Sequence, residues 1–306
     1  MSGSVKALVT GASGFIGASL CRALAADGIE PVALRRPESK SLARITSVTA
    51  SLADEAALTR CLDQVKPDYV FHLAGVTSAT RALEAVGPTF SINLASTVNL
   101  LTAVTQVGCR RVVLAGSLEE PDATAAPPAP SSPYAASKWA ASMYAQMYWR
   151  LYRTPVAVAR IFMVYGPLQR DTNKLIPYAI RSLLSGDELR LSSGSRGVDW
   201  VFVDDVARGL IALSRAASVD GINVDIGTGV VTSVRQVVER IATVVGGEAR
   251  LRFGALPDRP DEQVRCADVS HTERLTGWRP LVGLDEGLVR TVDEAKFQWR
   301  QPPQPE

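Results

Sequence analysis

The feature that most constrains the fold is a set of three evenly spaced glycines, Gly11, Gly14 and Gly17, near the start of the chain. They follow an apolar run at residues 5–10, which predicts a buried strand, and apolar residues recur at helical spacing after them. A strand, a glycine-rich turn and a helix in this order are typical of the first βαβ unit of a parallel sheet. The N–H groups at the start of such a helix can bind a pyrophosphate, so the segment predicts a dinucleotide site.

Strand-like and helical segments continue to alternate as far as about residue 165. Further strands are predicted at Pro31–Leu34, Tyr69–Leu73, Arg111–Ala115 and Val156–Phe162. The sequence therefore predicts an α/β fold, with a Rossmann-type doubly wound parallel sheet over residues 1–165 and a smaller C-terminal α/β region over residues 166–299. We expect that second region mainly to bind substrate, with some of its segments free to return to the main sheet.

The pattern changes after residue 165. It predicts loops at 166–174 and 192–200, a helix at about 175–186, a strand at 222–226 and a helix at about 233–246. The proline-rich segment Pro121–Pro133 is interpreted as a loop, and residues 300–306 are predicted to be a disordered tail.

Composition excludes several classes of function. The formal net charge of +2 is too balanced to favour nucleic acid or a membrane surface as a partner. The four cysteines form no CxxC pair and two histidines cannot complete a zinc site, so we expect reduced thiols, no metal and a cytoplasmic location. No signal-peptide pattern opens the chain and no apolar run approaches about 18 residues, so no membrane span is predicted.

The end of the second predicted strand indicates which dinucleotide is bound. An NAD site usually places a carboxylate there, which bonds the adenosine ribose. This chain has Arg35 and Arg36 instead, and the first carboxylate after them is Glu38. Because guanidinium groups pair with phosphate through charge-assisted hydrogen bonds, we predict NADP as the cofactor and keep NAD as the alternative. The other interpretation is a pair of solvated surface arginines.

Tyr134 and Lys138 lie four residues apart at the start of a predicted helix, so their side chains share one face. A neighbouring cation favours the phenolate, which predicts a tyrosine pKa lowered toward neutrality and a group able to exchange a proton with a carbinol oxygen. Ser117, after the fourth predicted strand, is placed to hydrogen-bond the same oxygen. A Tyr-x-x-x-Lys pair alone is also common as a surface pair, but its combination with the glycine loop and Ser117 favours catalysis.

These segments resemble the extended short-chain dehydrogenases/reductases, which include nucleotide-sugar epimerases, dehydratases and reductases. Thr10–Gly17 resembles the cofactor loop of that family, Tyr134-x-x-x-Lys138 its catalytic pair, and His72-Leu-Ala-Gly75 its His-Leu-Ala-Ala segment. Later segments that resemble its signatures are Val164–Pro167, Trp200–Val206, Asn223–Gly229 and Gly277–Pro280. The resemblance covers about residues 5–297 and is specific to the superfamily, not to one reaction.

Together with the motifs above, the resemblance implies three sets of site residues. The catalytic set is Ser117, Glu119, Tyr134 and Lys138, with Glu119 where dehydratases hold a base for the sugar C5 proton and where reductases often carry Glu too. The cofactor set is Gly11, Gly14, Phe15, Ile16, Gly17, Arg35, Arg36, Leu52, Leu73, Ala74, Gly75, Tyr134 and Lys138. The substrate set is Ser117, Arg196 and Arg259, the two arginines as phosphate clamps or, alternatively, as plain surface residues.

The chain also departs from the family pattern. Ser51 stands where the family usually has an Asp that contacts adenine, and Pro121 where it has a Tyr. Met163 replaces an Asn that contacts a substrate phosphate, and Val198 replaces an Arg. These departures leave the substrate open. His72 is interpreted as a buried structural residue.

Within the family, Arg35-Arg36 and Gly116-Ser-Leu-Glu-Glu120 resemble the group of GDP-mannose 4,6-dehydratase and GDP-4-keto-6-deoxy-mannose reductase. The chain lacks the longer insertions of the dehydratases, so the resemblance implies NADP-dependent reduction of a 4-keto sugar on a nucleotide, with Tyr134 as proton donor. The alternative is a 4-epimerase or 4,6-dehydratase that retains its cofactor, and a more remote one is a non-catalytic scaffold that senses the cofactor.

The predicted helix at 134–152 is apolar over more than the one face that a helix lying on a sheet requires. One stripe consists of Trp139, Met143, Met147 and Leu151, and the neighbouring stripe of Tyr144, Tyr148 and Tyr152. We therefore predict a homodimer in which this helix and the helix at 95–107 form a four-helix bundle across a two-fold axis. Alternatively, helices from the substrate-binding region of the same chain cover the second stripe.

Overall fold

The computed structural model describes residues 4–39, 45–122, 128–246, 251–258 and 264–300 of the 306-residue chain. The chain forms two compact units. The first consists of residues 1–161, 206–226 and 269–278, and the second of residues 162–205, 227–268 and 279–306. Two segments from beyond residue 165 thus belong to the first unit.

Strands and helices alternate through most of the described ranges. The strands are β1 (Lys6–Thr10), β2 (Glu30–Arg35), β3 (Thr46–Thr49), β4 (Tyr69–His72), β5 (Arg111–Ser117), β6 (Val156–Ile161), β7 (Met163–Tyr165), β8 (Leu189–Arg190), β9 (Gly197–Phe202), β10 (Asn223–Ile226), β11 (Val231–Ser233) and β12 (Leu251–Arg252). The helices are α1 (Phe15–Ala26), α2 (Glu55–Val65), α3 (Val86–Thr89), α4 (Ser96–Val107), α5 (Pro133–Tyr152), α6 (Leu175–Ser185), α7 (Val203–Arg215), α8 (Val234–Val245), α9 (Val269–Thr276) and α10 (Leu284–Trp299). A 3₁₀ turn at Leu83–Ala85 precedes α3, and a π-helical turn at Phe90–Ala95 joins α3 to α4.

The first unit is built on a seven-stranded sheet with the order β10-β6-β5-β4-β1-β2-β3, in which every pair is parallel. β1 and β5 are buried over nearly their whole length, which is why they are continuous apolar runs and not alternating ones. Apolar side chains of strands and helices, among them Leu8, Val112, Leu58 and Leu100, pack into one core cluster. The predicted Rossmann-type doubly wound sheet is confirmed.

The topology brings the predicted site residues to one edge of this sheet. The strands are parallel, so their carboxyl ends lie together, and the strand order reverses between β1 and β4. Ligands of open α/β sheets bind at such a switch point, outside the carboxyl ends of the strands. Gly11, Leu73 and Ser117 follow or end β1, β4 and β5 at this edge.

Helix α5 starts at a well-formed cap close to that edge. The Ser132 side chain accepts a hydrogen bond from the Ala135 N–H, and Pro133 occupies the first helical turn, where a missing N–H costs nothing. The helix ends at Arg153, which adopts a left-handed conformation with φ of 58°. Cap and proline together fix where Tyr134 and Lys138 begin the helix.

The predicted apolar stripes of α5 are only partly exposed. Tyr148 is buried, and its hydroxyl shares a hydrogen bond of 2.6 Å with Thr102 Oγ1 on α4 of the same chain. Met143, Tyr144, Leu151 and Tyr152 remain exposed. The tyrosine stripe is therefore covered in part by α4, the helix that was predicted to lie beside α5 in the bundle.

The second unit contains two small sheets. In the larger, β9 pairs in parallel with β7 and antiparallel with β11, and in the smaller β12 pairs in parallel with β8. Side chains including Tyr165, Phe202, Val238 and Leu288 form its core. None of the helices within the described ranges is long and apolar enough to cross a membrane.

The prediction of a loop at 192–200 is wrong from Gly197 onward, where β9 begins. The local sequence is rich in Ser and Gly and resembles a loop. Val198 and Trp200 are nevertheless buried, because β7 and β11 flank this segment on both sides. Strand pairing with distant segments decided the structure against the local composition.

Candidate active site

The glycine loop between β1 and α1 brings backbone segments closer together than any side chain would allow. Gly11 has a positive φ of 69°, and a Cβ on it would lie 2.8 Å from the Ala74 nitrogen. A Cβ on Gly17 would lie 2.1 Å from the Gly11 carbonyl oxygen. Glycine is therefore required at both positions for steric reasons.

The N-terminus of α1 suits an anion. Gly14 is the N-cap residue, no side chain caps the helix there, and its first turn, which starts with Phe15 and Ile16, carries no acidic residue. The N–H groups and the positive end of the helix dipole are thus not offset by a carboxylate of the helix itself. This chemistry fits the pyrophosphate of a dinucleotide.

Segments after β3 and β4 complete the same edge of the sheet. The N–H groups of Leu73 and Ala74 donate to Thr10 Oγ1 at 3.2 and 3.1 Å, which ties the end of β4 to the end of β1. The Leu52 carbonyl, on the other side of β1, accepts a hydrogen bond of 2.9 Å from Asn99 Nδ2. Both predicted backbone segments are thereby fixed in position.

The two arginines after β2 have different surroundings. Arg35 is tied to its own region: Nε donates to Ser47 Oγ at 3.1 Å, and the guanidinium also donates to the Ser39 carbonyl. Arg36 is largely exposed and forms a 3.2 Å ion pair with Glu38, which is exposed as well. The guanidinium of Arg36 is therefore open to solvent, and its exposed ion pair with Glu38 is of a kind that contributes little free energy.

The structure gathers Ser117, Tyr134 and Lys138 where β5 ends and α5 begins. The Ser117 side chain lies close enough to the Tyr134 phenol to lower its pKa by hydrogen bonding. The Lys138 ammonium is buried and donates to the Ala115 carbonyl at 2.8 Å. The three predicted catalytic side chains therefore converge, as their spacing in sequence and on the sheet predicts.

The pKa of Tyr134 differs from the value expected from the sequence. Burial, together with the charges of Glu119 and Glu120, raises the pKa of Tyr134 to about 12, against the lowering effect of the hydrogen bond with Ser117. Burial also lowers the pKa of Lys138 to about 8, against the raising influence of Glu120. The prediction of a lowered tyrosine pKa is wrong for the protein alone, because loss of solvent and the two nearby carboxylates outweigh the hydrogen bond with Ser117.

Two adjacent glutamates follow Ser117 and have different environments. The Glu119 N–H donates to Ser117 Oγ at 3.2 Å, and its side chain is partly exposed. Glu120 is 1% exposed, and its carboxylate accepts hydrogen bonds from the Ser117 N–H and from Ser142 Oγ. Sequence analysis singled out only Glu119. The pair of adjacent carboxylates after a buried strand was the available signal, but it does not indicate which of them turns inward.

Asn93, in the π-helical turn before α4, is a second residue that sequence analysis missed. Its amide accepts from the Val76 N–H at 2.8 Å and donates to Ser137 Oγ at 3.0 Å, and Ser137 in turn donates to the Tyr134 carbonyl. Asn93 thereby links the segment after β4 to the first turn of α5. An Asn in an apolar helical stretch was the only hint in the sequence.

His72 is buried within the same region. Its two ring nitrogens hydrogen-bond Thr10 at 2.8 Å and Thr97 at 3.1 Å. Burial, together with the charge of Lys138, lowers the pKa of His72 to about 3, so the ring is neutral. These contacts support the interpretation of His72 as structural.

Of the remaining predicted substrate residues, Arg196 belongs to the second unit. Arg196 is partly buried directly before β9, and its carbonyl accepts a hydrogen bond from the Val234 N–H at 2.9 Å. Arg259 lies outside the described residues. A substrate role for either arginine stays a prediction.

Comparisons with known proteins agree over nearly the whole chain. A profile of the NAD dependent epimerase/dehydratase family matches residues 7–227. A UDP-glucose 4-epimerase of Mycolicibacterium smegmatis is 33% identical over 309 residues, covering 94% of this chain and 98% of that protein. A dTDP-glucose 4,6-dehydratase of Neisseria gonorrhoeae is 30% identical over 332 residues, covering 95% of each. The crystal structure of a Thermus thermophilus UDP-glucose 4-epimerase in complex with NAD has a TM-score of 0.83 at 28% identity, covering 95% of this chain and 99% of that one.

Proposed function

The chain belongs to the NAD dependent epimerase/dehydratase family, and from that premise we propose that it is a 4-epimerase of a nucleotide-activated hexose. The observation that carries the proposal is the convergence of Ser117, Tyr134 and Lys138 beside the glycine loop at the carboxyl edge of the sheet. The 4-epimerase relative that matches this chain over nearly its full length supports the choice of reaction.

The chemistry at the sugar needs a group that takes a proton from the C4 hydroxyl and later returns it. Tyr134 is that group, and Ser117, which already hydrogen-bonds the phenol, orients the oxygen. NAD(P), when bound against the glycine loop, supplies the acceptor and donor of hydride and, in its oxidised form, a positive charge. Burial holds the pKa of Tyr134 at about 12 in the protein alone, so the phenol is protonated there at neutral pH. To take the C4 proton it must first be a phenolate, which the positive charge of the oxidised cofactor would favour, and the phenol formed in that step returns its proton to the 4-keto oxygen.

A 4,6-dehydratase is the second candidate, and Glu119 is the observation that favours it. That reaction also requires a base for the C5 proton, and the partly exposed Glu119 lies next to Ser117. A dTDP-glucose 4,6-dehydratase is among the relatives. The 4-keto reductase favoured by the sequence alone has less support, since the names of these relatives are epimerase and dehydratase.

One assay separates the three reactions. The purified protein is incubated with UDP-glucose or dTDP-glucose and NAD or NADP, and the product is identified by proton NMR. We expect the C4 epimer without net change in the cofactor. A 4-keto-6-deoxy product would establish the dehydratase instead, and net oxidation of NADPH with an added 4-keto sugar, without any epimer, would establish the reductase.

For the cofactor, we propose a preference for NADP that depends mainly on Arg36. Its exposed ion pair with Glu38 is easily exchanged for a 2′-phosphate, and Arg35 beside it adds positive charge while held by Ser39 and Ser47. β2 ends in these arginines and not in the carboxylate usual for NAD. The family name and the related complex with NAD keep NAD as the alternative.

For the assembly, we propose a homodimer with a second copy of this chain against α5 and α4. The exposed Met143, Tyr144, Leu151 and Tyr152 give α5 an apolar surface of the kind that marks contact sites. Light scattering should give about twice 32.7 kDa, and Met143→Glu should reduce it to the monomer mass. Phe297→Glu, at a more exposed apolar position on α10, is the control and should leave the mass unchanged. A monomer at micromolar concentration would contradict the proposal.

For the location, we propose the cytoplasm. Cys21, Cys61 and Cys109 are free thiols, and Cys21 and Cys61 are buried. Free cysteines are typical of a reducing compartment.

A further inference from the structure

Glu120 is a buried carboxylate that the reaction proposed above does not use. It is 1% exposed, at the end of the turn that follows β5. One carboxylate oxygen accepts a hydrogen bond of 2.8 Å from the Ser117 N–H, and the other accepts one of 2.9 Å from Ser142 Oγ. Ser142 is itself fully buried, four residues after Lys138 on α5. The carboxylate thus connects the strand end that carries Ser117 to the helix that carries Tyr134 and Lys138.

The backbone around Glu120 is shaped to enclose its carboxylate. A Cβ on Gly116 would lie only 2.7 Å from Glu120 Oε1, so glycine is needed to make room. The Glu120 N–H donates to the Ser117 carbonyl at 3.1 Å, and the Glu119 N–H donates to Ser117 Oγ at 3.2 Å. The backbone and side chain of Ser117 are therefore held by the same turn that buries the carboxylate.

The charges of two cations, Arg160 and Lys138, act on Glu120. Arg160 lies on β6, in register with Gly116, and forms a 3.1 Å ion pair with Asp225 on β10. Lys138 and Tyr134 lie on α5, and the charge of Lys138 also acts on the neutral His72. Burial raises the pKa of Glu120, while Arg160, Lys138 and its two hydrogen bonds lower it. In turn, the charge of Glu120 raises the pKa of Lys138 against the effect of burial.

We propose that Glu120 is a positioning residue of the active site: it holds Ser117 opposite Tyr134 through hydrogen bonds and is the buried counter-charge that keeps Lys138 an ammonium. The kinetic part rests on the proposed function, whereas the electrostatic part concerns the protein alone. Burying the Lys138 ammonium without an opposite charge would cost free energy, and the Glu120 carboxylate offsets this cost. Glu120 does not contact the reacting atoms and acts through Ser117 and Lys138.

Glu120→Gln separates the two roles because glutamine has nearly the same shape. Its amide oxygen can still accept from the Ser117 N–H and its NH₂ group can donate to Ser142, but the charge is gone. Ser142→Ala does the opposite: it removes one hydrogen bond and keeps the charge. Glu119→Gln is the matched control, since it removes the adjacent, partly exposed carboxylate and leaves that of Glu120 in place.

The first readout is the titration of Lys138 in the protein without cofactor or sugar. The chain has six lysines, so ¹³C labelling of lysine gives a small set of ε-methylene signals, and Lys138→Met assigns the one of interest. We expect that signal to titrate at about pH 8 in the unmodified protein. In Glu120→Gln it should move to lower pH by about one pH unit, because an opposite charge is lost. Ser142→Ala and Glu119→Gln should leave it in place.

The second readout is the pH profile of the epimerase reaction. Glu120→Gln should lower kcat more than it changes KM and should shift the alkaline fall in kcat to lower pH. The loss should be smaller than the roughly 10²-fold or greater loss expected on removing the proton-transfer group. Ser142→Ala should lower kcat without moving the profile, because only the position of Ser117 is affected.

The two readouts distinguish failure of this inference from failure of the proposed function. If no nucleotide sugar is turned over but the Lys138 titration moves only in Glu120→Gln, the reaction is wrong and the counter-charge stands. If folded Glu120→Gln, checked by circular dichroism, titrates like the unmodified protein, the inference is overturned whatever the activity. An equal displacement in Glu119→Gln would overturn it as well. If Glu120→Gln fails to fold, Ser142→Ala decides: a kcat equal to that of the unmodified protein overturns the positioning role.

Discussion

The glycine loop after β1 and the cluster between β5 and α5 lie at the same edge of one sheet but are built differently. The loop is made of backbone: Gly11 and Gly17 leave no room for a side chain, and the start of α1 offers N–H groups. The cluster is made of buried polar side chains whose protonation depends on each other, chiefly Tyr134, Lys138 and Glu120. A backbone site is therefore sensitive to added volume, and a side-chain site to changes in charge.

The largest expected effect is in the cluster. Tyr134→Phe removes the proton-transfer hydroxyl and leaves the ring, so we expect kcat to fall about 10²–10⁴-fold. Cofactor affinity, measured by calorimetry, should change little because the loop is untouched. Nearly normal turnover would show that Tyr134 is not the proton-transfer group and that activity does not depend on this side chain of the cluster.

The next effect is in the loop. Gly17→Ala places a Cβ 2.1 Å from the Gly11 carbonyl oxygen, so the loop must move. We expect a loss of about 3 kcal/mol in the free energy of unfolding, at the upper end of the cost of overpacking, together with weaker cofactor binding. Gly87→Ala is the control, because nothing lies within 4 Å of its added Cβ. Equal urea midpoints for the two variants would show that the loop is not sterically constrained.

The third effect concerns the end of β2, where we expect side chains, and not backbone, to distinguish NADP from NAD. Arg36→Ala should weaken NADP binding by about 1.5–3 kcal/mol, the contribution of a charge-assisted hydrogen bond, and leave NAD binding nearly unchanged. Arg35→Ala should act less selectively, since its guanidinium also bonds Ser39 and Ser47. Equal affinity of the unmodified protein for both cofactors, by calorimetry, would refute the preference.

The smallest effect is the pH dependence of stability that Lys138 confers. Burial lowers the pKa of Lys138 to about 8, below its ordinary value of 10.5, so between these values the unfolded chain binds more protons than the folded one. Lys138 should therefore make stability rise with pH from about 8 upward, by about 1 kcal/mol per pH unit. The difference in unfolding free energy between the unmodified protein and Lys138→Met should show this slope. A difference that does not vary with pH would mean that Lys138 is solvated.

The local sequence pattern predicted the structure correctly where a single strand, turn or helix determines it. The strand, glycines and helix at residues 5–26 were predicted from spacing alone, and the helix predicted at 233–246 is observed at Val234–Val245. The residues Tyr134 and Lys138 were found in the same way, because four residues on a helix return to one face. The predicted loop at 192–200 failed because β7 and β11, which stabilise β9, are distant in sequence.

By itself, the sequence determined the doubly wound sheet, the glycine loop and the identity of the Ser-Tyr-Lys set, since each depends on spacing within a strand, turn or helix. Only the tertiary structure decided that β10 joins the main sheet, that Glu120 and not Glu119 turns inward, and that Tyr148 is covered by α4. It also reversed the expected direction of the Tyr134 pKa. The physical reason is common to these cases: burial and charge–charge interaction depend on neighbours brought together from distant parts of the chain, and desolvation in such surroundings outweighs a single favourable neighbour.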